Sequence, residues 1–176
     1  MNNTRTTTMI ALHADNIAGL RRLRDVVAQM TAKQYTASVS PCDSGIGAHV
    51  RHVLDHYDAL WIGLERGHIN YDERQRDPRT EQDVDYALQR IDDQVDRLGK
   101  LQNVDPALAL TVCMDCGSTQ STEVAAPTSL QRELQFLASH TVHHDALIAA
   151  AAAQLSLTTT ADFGVAPSTL RHASGT

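Results

Sequence analysis

Two groups of histidines carry the chemistry of this sequence. Nine histidines occur in 176 residues, and seven of them fall in or beside two segments, Gly47 to His68 and Ser139 to Asp145. In the later segment His140 and His144 stand one helical turn apart. Each residue of an α-helix advances about 100°, so the two rings lie about 40° apart on one face. With His140 at zero, Leu137, Ile148 and Leu155 lie near roughly +60° to +80°, and His143 lies on the other side at about −60°. The pair therefore points with the apolar stripe, toward a core. Two imidazoles so placed can chelate one metal ion. The competing reading is two core histidines satisfied by backbone or side-chain partners.

The earlier segment reads GAHVRHVLDHYDAL, and His49, His52 and His56 fall within an arc of about 60°. The apolar positions Ile46, Val53, Tyr57, Leu60 and Leu64 centre about 50° to the side of His49, which favours His49 or His56 over His52 as an inward ligand. For His56 and His68, plain surface exposure is the simpler expectation. Three imidazoles with a position left for water or substrate form a common catalytic zinc arrangement. Nickel or ferrous iron accepts the same donors.

Further polar groups cluster after this segment. Asn70, Tyr71, Asp72, Arg74, Arg76 and Asp77 fall within eight residues. Tyr71 or Asp72 could move protons, and Arg74 or Arg76 could grip a substrate carboxylate through two parallel hydrogen bonds. A charged loop stitched by its own salt bridges is the alternative. Glu133, two turns before His140 and at about +20°, also faces inward. It could pair with Arg51 or Arg132, or receive a proton. No residue stands out as catalytic beyond these candidates. Cys113-Met114-Asp115-Cys116 has the C-x-x-C spacing but lacks a second pair and a following helix, so it is a weak redox or zinc motif. Cys42 reads as a plain loop or core thiol.

Four amphipathic helices must position these residues. From Ala11 to Lys33, Leu12, Ile17, Leu20, Leu23, Val27 and Met30 recur at mostly three- and four-residue spacing, after a polar segment 1–8 expected to fray. Residues 36–45 read as a loop, with Ser44 as N-cap of a second helix from Ile46 to about Glu65, ended by Gly67. The stretch HINYDERQRDPRT is a connection with room for one helical turn. Thr80 and Asp83 suggest a cap for a third helix carrying Val84, Leu88, Ile91, Val95 and Leu98. Residues 101–126 break the period, and β-branched residues around a Gly117-Ser118 turn suit a short β-hairpin or a long loop. Thr128 with Gln131 reads as a capping box for a fourth helix running to about Leu155, and Pro167 starts a last short turn. The expectation is an all-α four-helix bundle in a single domain, 1–176, with a long connection between helices three and four.

Composition excludes several classes. The chain is 42% hydrophobic and 20% charged, a globular balance, and carries a net charge of −6 with no Lys/Arg block. Clustered cations are what phosphate neutralisation needs, so a nucleic-acid partner is not expected. No apolar run approaches the roughly 20 residues that span a bilayer, and the N-terminus lacks a signal-peptide pattern. Three cysteines are too few and too odd in number for a disulfide scaffold. The expected location is the cytoplasm. Aromatic residues make up only 4%, so the core must come from Leu, Ile, Val and Ala.

The segments SGIGAHVRHVLDHYDAL, INYDERQRD, TSLQRELQFLASHTVHHDALI and FGVAPSTL together resemble the DinB-like (DinB/YfiT) metalloenzymes, over about Asp43 to Leu170. The resemblance implies a four-helix bundle with up-down-down-up connectivity and a metal held by one histidine of helix two and two of helix four. Matching the helix-two pattern to SGIGAHVRHVL implies His52 as that ligand, with His140 and His144 from helix four. The helical wheel favours a neighbour instead. His49 then joins Arg74 and Arg76 as a candidate substrate contact. Where many relatives follow the last ligand with Arg-Gly-Gln, this chain has Asp145-Ala146-Leu147. The resemblance further implies a divalent ion, zinc before nickel or iron, activating water or a low-molecular-weight thiol, and pairing as a homodimer. The enzyme would be a hydrolase or thiol transferase acting on a small molecule. The alternative is a non-catalytic metal or small-ligand binding protein with a role in stress.

Overall fold

A computed structural model describes residues 2–117 and 122–175. Met1, within the segment expected to fray, and residue 118 of the expected Gly117-Ser118 turn lie outside the described residues. The chain is mostly helical, with a small three-stranded sheet. The first helix, α1, spans Asn2–Val27 and so starts well before Ala11. A single turn, α2 (Ala32–Tyr35), follows, opened by a capping box in which Thr31 and Gln34 satisfy each other's backbone N–H groups. Helix α3 spans Ile46–Arg66 and ends at Gly67, whose φ of 73° is the left-handed conformation that closes a helix at little cost to glycine. Its N-cap is Gly45, not Ser44, and no side chain caps it.

The connection after α3 is more ordered than its polar sequence suggests. Strand β1 (His68–Asn70) leads to a short helix α4 (Pro78–Gln82), capped by Asp77 and started by Pro78. Helix α5 (Val84–Gly99) is capped by Asp83, which accepts from the Tyr86 N–H, while Thr80 is buried and caps nothing. A 3-10 turn at 100–103 follows. The expected hairpin forms: β2 (Ala109–Asp115) and β3 (Glu123–Ser129) pair antiparallel, from Ala109 opposite Ser129 to Asp115 opposite Glu123. The sheet makes the all-α expectation incomplete. β1 joins β2 in parallel, with His68, Ile69 and Asn70 beside Thr111, Val112 and Cys113.

Helix α6 spans Leu130–Gln154, capped by Ser129 rather than Thr128. Thr128 instead donates its hydroxyl to Glu133. The chain ends in α7 (Pro167–Ser174), where the sequence placed a turn. α1 packs on α5 and α6, and α3 packs on the same two helices. Leu20, Leu23 and Val27 of α1, Val53 and Leu60 of α3, Ile91 and Leu98 of α5, and Leu134, Leu137 and Ile148 of α6 are sealed from solvent in one core. Each fully buried aliphatic side chain contributes about 1.5–3 kcal/mol. Ala151 and Ala152 are also sealed, so two of the five alanines in the run 149–153 pack inside the chain.

Glycine sets two close approaches to α3. A Cβ on Gly47 would sit 2.1 Å from the Glu81 carbonyl oxygen of α4, and one on Gly63 would sit 2.2 Å from Ile69 Cγ1 of β1. The absence of a side chain lets α4 and β1 lie against α3. The loop after β1 thereby rests beside the histidines.

Candidate metal centre

α3 and α6 face each other with a His-x-x-x-His pair apiece, His52 with His56 and His140 with His144. One ligand nitrogen from each of His52, His140 and His144 lies within 4.8 Å of the others. The α3 member of this group is thus His52, not His49 or His56. His49 sits behind it, its Nδ1 3.0 Å from Nδ1 of His144. With the proton on His144 Nδ1 and His49 Nδ1 accepting it, Nε2 of His144 keeps its lone pair for an ion. His143 is exposed and outside the group, its ring edge-on to that of His144 at 5.1 Å.

His56 is the residue the sequence misplaced. It is only 5% exposed, because Tyr71 stacks on its ring at 5.4 Å and Phe136 closes in from α6. Its Nδ1 donates to the His52 carbonyl oxygen at 2.7 Å, which fixes the tautomer and leaves Nε2 as an acceptor facing Nη1 of Arg74 at 3.4 Å. The ring centroid lies 4.1 Å from that of His140. His68 is exposed, as its sequence suggested.

Burial keeps these imidazoles neutral. Desolvation, followed by the neighbouring His56 and His144, pushes His52 down to about 3. His140 falls to about 2 through burial and then His56 and His144, and His144 to about 4 through burial and then His49. His49 and His56 are lowered too, again chiefly by burial. A metal ligand must offer a lone pair, so rings that resist protonation are ready donors. His140 supplies a second sign of fit. Its Nε2 is buried and has no hydrogen-bond partner among the described residues, and buried polar atoms are rarely left so. Three neutral nitrogens suit zinc, nickel or ferrous iron better than magnesium or calcium, which prefer oxygen. Ser44, Ala48, His49 and Arg51 line a cavity of about 260 Å³ beside His52 and His144.

The other candidates divide. Tyr71 is buried and donates to Glu133 Oε2 at 2.7 Å; burial, with Glu133 beside it, raises the phenol. Glu133 is sealed from solvent and also accepts from Thr128 and from Arg132 Nη1 at 3.3 Å. The Arg132 pairing is one of the two the sequence offered. Arg51 turns instead to Glu81, at 2.7 Å. Asp72 accepts from the Asp115 N–H at 2.6 Å, tying the loop to β2. Arg74 is half-buried beside His56 and, among the described residues, makes no ion pair within 4 Å. Arg76 is exposed, with a φ of 51°. Cys113 is buried and donates to Glu123, while Cys116 is exposed; both are free thiols outside the imidazole group.

Comparison with known proteins adds two findings. The family model described as the DinB superfamily matches residues 17–148. A protein named FK506-binding protein 5, from Rhizopus delemar, is 34% identical over 107 residues, which cover 59% of this chain and 27% of that protein. The chain thus spans about a quarter of that relative's length. No solved structure matches it.

Proposed function

Because the chain belongs to the DinB superfamily, we propose that it is a metal-dependent enzyme in which His52, His140 and His144 hold one divalent ion. The observation that supports this is the meeting of three neutral ring nitrogens within 4.8 Å, one of them buried without a partner. Zinc is the favoured ion, with nickel and iron accepting the same donors. Such an ion, when bound, supplies Lewis acidity that makes water or a low-molecular-weight thiol nucleophilic near neutral pH. The reaction is then hydrolysis or thiol transfer on a small molecule. We further propose the finer architecture implied by the family: α1, α3, α5 and α6 as an up-down-down-up four-helix bundle, a single domain over 1–176 that works in the cytoplasm as a homodimer.

The chain's own residues have separable roles in this reading. His49 holds the His144 ring in one orientation through the contact between their Nδ1 atoms, the kind of support that fixes a ligand's tautomer. Arg74, oriented by His56, grips an anionic group of the substrate, and Arg76 attracts it from the rim. Tyr71, Asp72 and Glu133 spend their polar atoms on one another and on the backbone. They hold the loop carrying Arg74 in place rather than transfer protons. The second reading is a non-catalytic metal or small-ligand binding protein tied to stress, and a closed shell of four ligands would favour it. Three described residues make the group, and a cavity adjoins it.

Metal analysis of the protein purified without a histidine tag tests the site. One divalent ion per chain is expected, and loss of that stoichiometry in His140→Ala. Full retention of metal at unchanged affinity in the variant would overturn the assignment. A panel of thiol-transfer and hydrolase assays on the metal-loaded protein then separates enzyme from binding protein.

A further inference from the structure

A second cavity lies away from the histidines. It has a volume of about 410 Å³ and sits between α1, α6 and the segment leading into α7, and none of the five clustered imidazoles lines it. Leu12, Ala138, Val142, Val165 and Leu170 give it apolar walls, and Gly19 leaves room on the α1 side. The volume falls within the range of small-molecule sites, which are mostly apolar with a few placed polar groups.

The polar groups at its inner end are incompletely satisfied. Tyr57 donates its hydroxyl hydrogen to Asn16 Oδ1 at 2.8 Å, and Thr141 donates its own to the Leu137 carbonyl oxygen at 2.8 Å. Both amide hydrogens of Asn16 go to the carbonyls of Leu12 and Leu134. The two hydroxyls also contact each other, 3.2 Å apart, and each oxygen keeps a lone pair that these hydrogens do not use. Arg22 lines the same cavity, and its buried Nε has no hydrogen-bond partner among the described residues. One turn beyond Thr141, Asp145 is 1% exposed and neither of its oxygens is hydrogen-bonded among the described residues. Arg22 Nη1 lies 3.9 Å from Asp162 and makes no ion pair with Asp145.

An unused donor on Arg22 and unused lone pairs on Tyr57 and Thr141, all residues that line this cavity, call for a group that both donates and accepts. A hydroxyl does both, whereas a carboxylate only accepts and an ammonium only donates. We propose that this cavity is a second, metal-independent site for a small apolar molecule carrying one hydroxyl, an alcohol or a phenol. Burial of the ring or chain against the walls supplies affinity, and the hydroxyl sets orientation.

Benzyl alcohol, phenol and toluene, titrated into the full chain by ligand-observed NMR and calorimetry, test the site. Benzyl alcohol or phenol is expected to bind at least tenfold more tightly than toluene. Gly19→Leu fills the cavity from α1, where a Cβ meets Thr141 Cγ2 at an ordinary 3.7 Å, and should weaken the alcohol at least tenfold. Ala138→Leu fills it from α6 and gives the same loss if the first variant does not fold. His140→Ala should leave the alcohol's affinity unchanged, which separates this site from the metal centre. Toluene binding as tightly as the alcohol would overturn the hydroxyl assignment. Unchanged binding in a folded filled variant, or loss of binding in His140→Ala, would overturn the site.

Discussion

Five imidazoles converge between α3 and α6, and burial lowers the proton affinity of every one of them. In the unfolded chain each would protonate near pH 6.5. Below that pH the metal-free unfolded state binds more protons than the folded state, so stability falls as pH falls, across the window from about 6.5 down to about 2–4 for the three central rings. Asp145 works in the opposite direction. Burial pushes it up to about 8 against the pull of Arg22, so between its unfolded value near 3.8 and about 8 the folded state holds the extra proton and stability falls as pH rises. At pH 6.5 the five rings, half-protonated in the unfolded chain, still outweigh one carboxyl, and the two effects balance near pH 7, where each ring holds about a fifth of a proton. The metal-free protein should therefore be most stable near pH 7, with a steeper loss on the acid side. Urea unfolding of chelated protein from pH 5 to 9 measures this, and a stability that climbs steadily beyond pH 7 would contradict it.

The contact between α3 and β1 depends on one missing side chain. Gly63→Ala would drive a methyl group into Ile69, whose own backbone Cα lies 2.9 Å from the new atom. A shift of β1 is forced, and overpacking of this kind costs about 1–3 kcal/mol. Because Tyr71 and Arg74 follow β1 directly, the same substitution should also weaken metal binding measured by competition with a chromophoric chelator. A variant with native stability and native metal affinity would show that β1 does not position the loop. This element also marks the limit of what the sequence disclosed. The four long helices were legible because an apolar stripe at three- and four-residue spacing is a local signal, and the hairpin because strand and turn residues adjoin. β1 was not, since three residues pairing in parallel with a distant strand leave no local period. Caps were misassigned by one residue, at Thr128 where the adjacent Ser129 carries the same hydroxyl and at Ser44 where Gly45 takes the cap with no side-chain hydrogen bond. His52, His140 and His144 could be named from spacing and resemblance, whereas the burial of His56 could not. Its cover, Tyr71 and Phe136, arrives from two other elements.

The proposed ion would bridge two helices far apart in the chain, and a ligand bound only by the folded state adds about 2.7 kcal/mol at a hundredfold excess over Kd. A chelator should therefore lower Tm. It should leave the helical circular dichroism at 25 °C intact, because the aliphatic core spans all four long helices without help from the metal. Loss of the helical signal on chelation would mean that the core alone is insufficient. The homodimer is tested by sedimentation across micromolar concentrations, where a species of about twice 19.2 kDa is expected. A single species near the chain mass throughout would rule it out. Ala150 and Ala153, the outward members of the alanine run, remain available to such a contact.

The parallel pairing of Asn70 with Cys113 has a consequence for how the protein is made. A ribosome adds about 5–20 residues per second, so the strand before the arginine loop waits seconds for its neighbour to emerge. His140 and His144 come later still, on the last long helix. During synthesis the His52 and His56 pair is therefore exposed for seconds before His140 and His144 emerge, and the three-histidine group cannot assemble until α6 has been made. Loading of that group belongs to a chain whose α6 has already docked on α3.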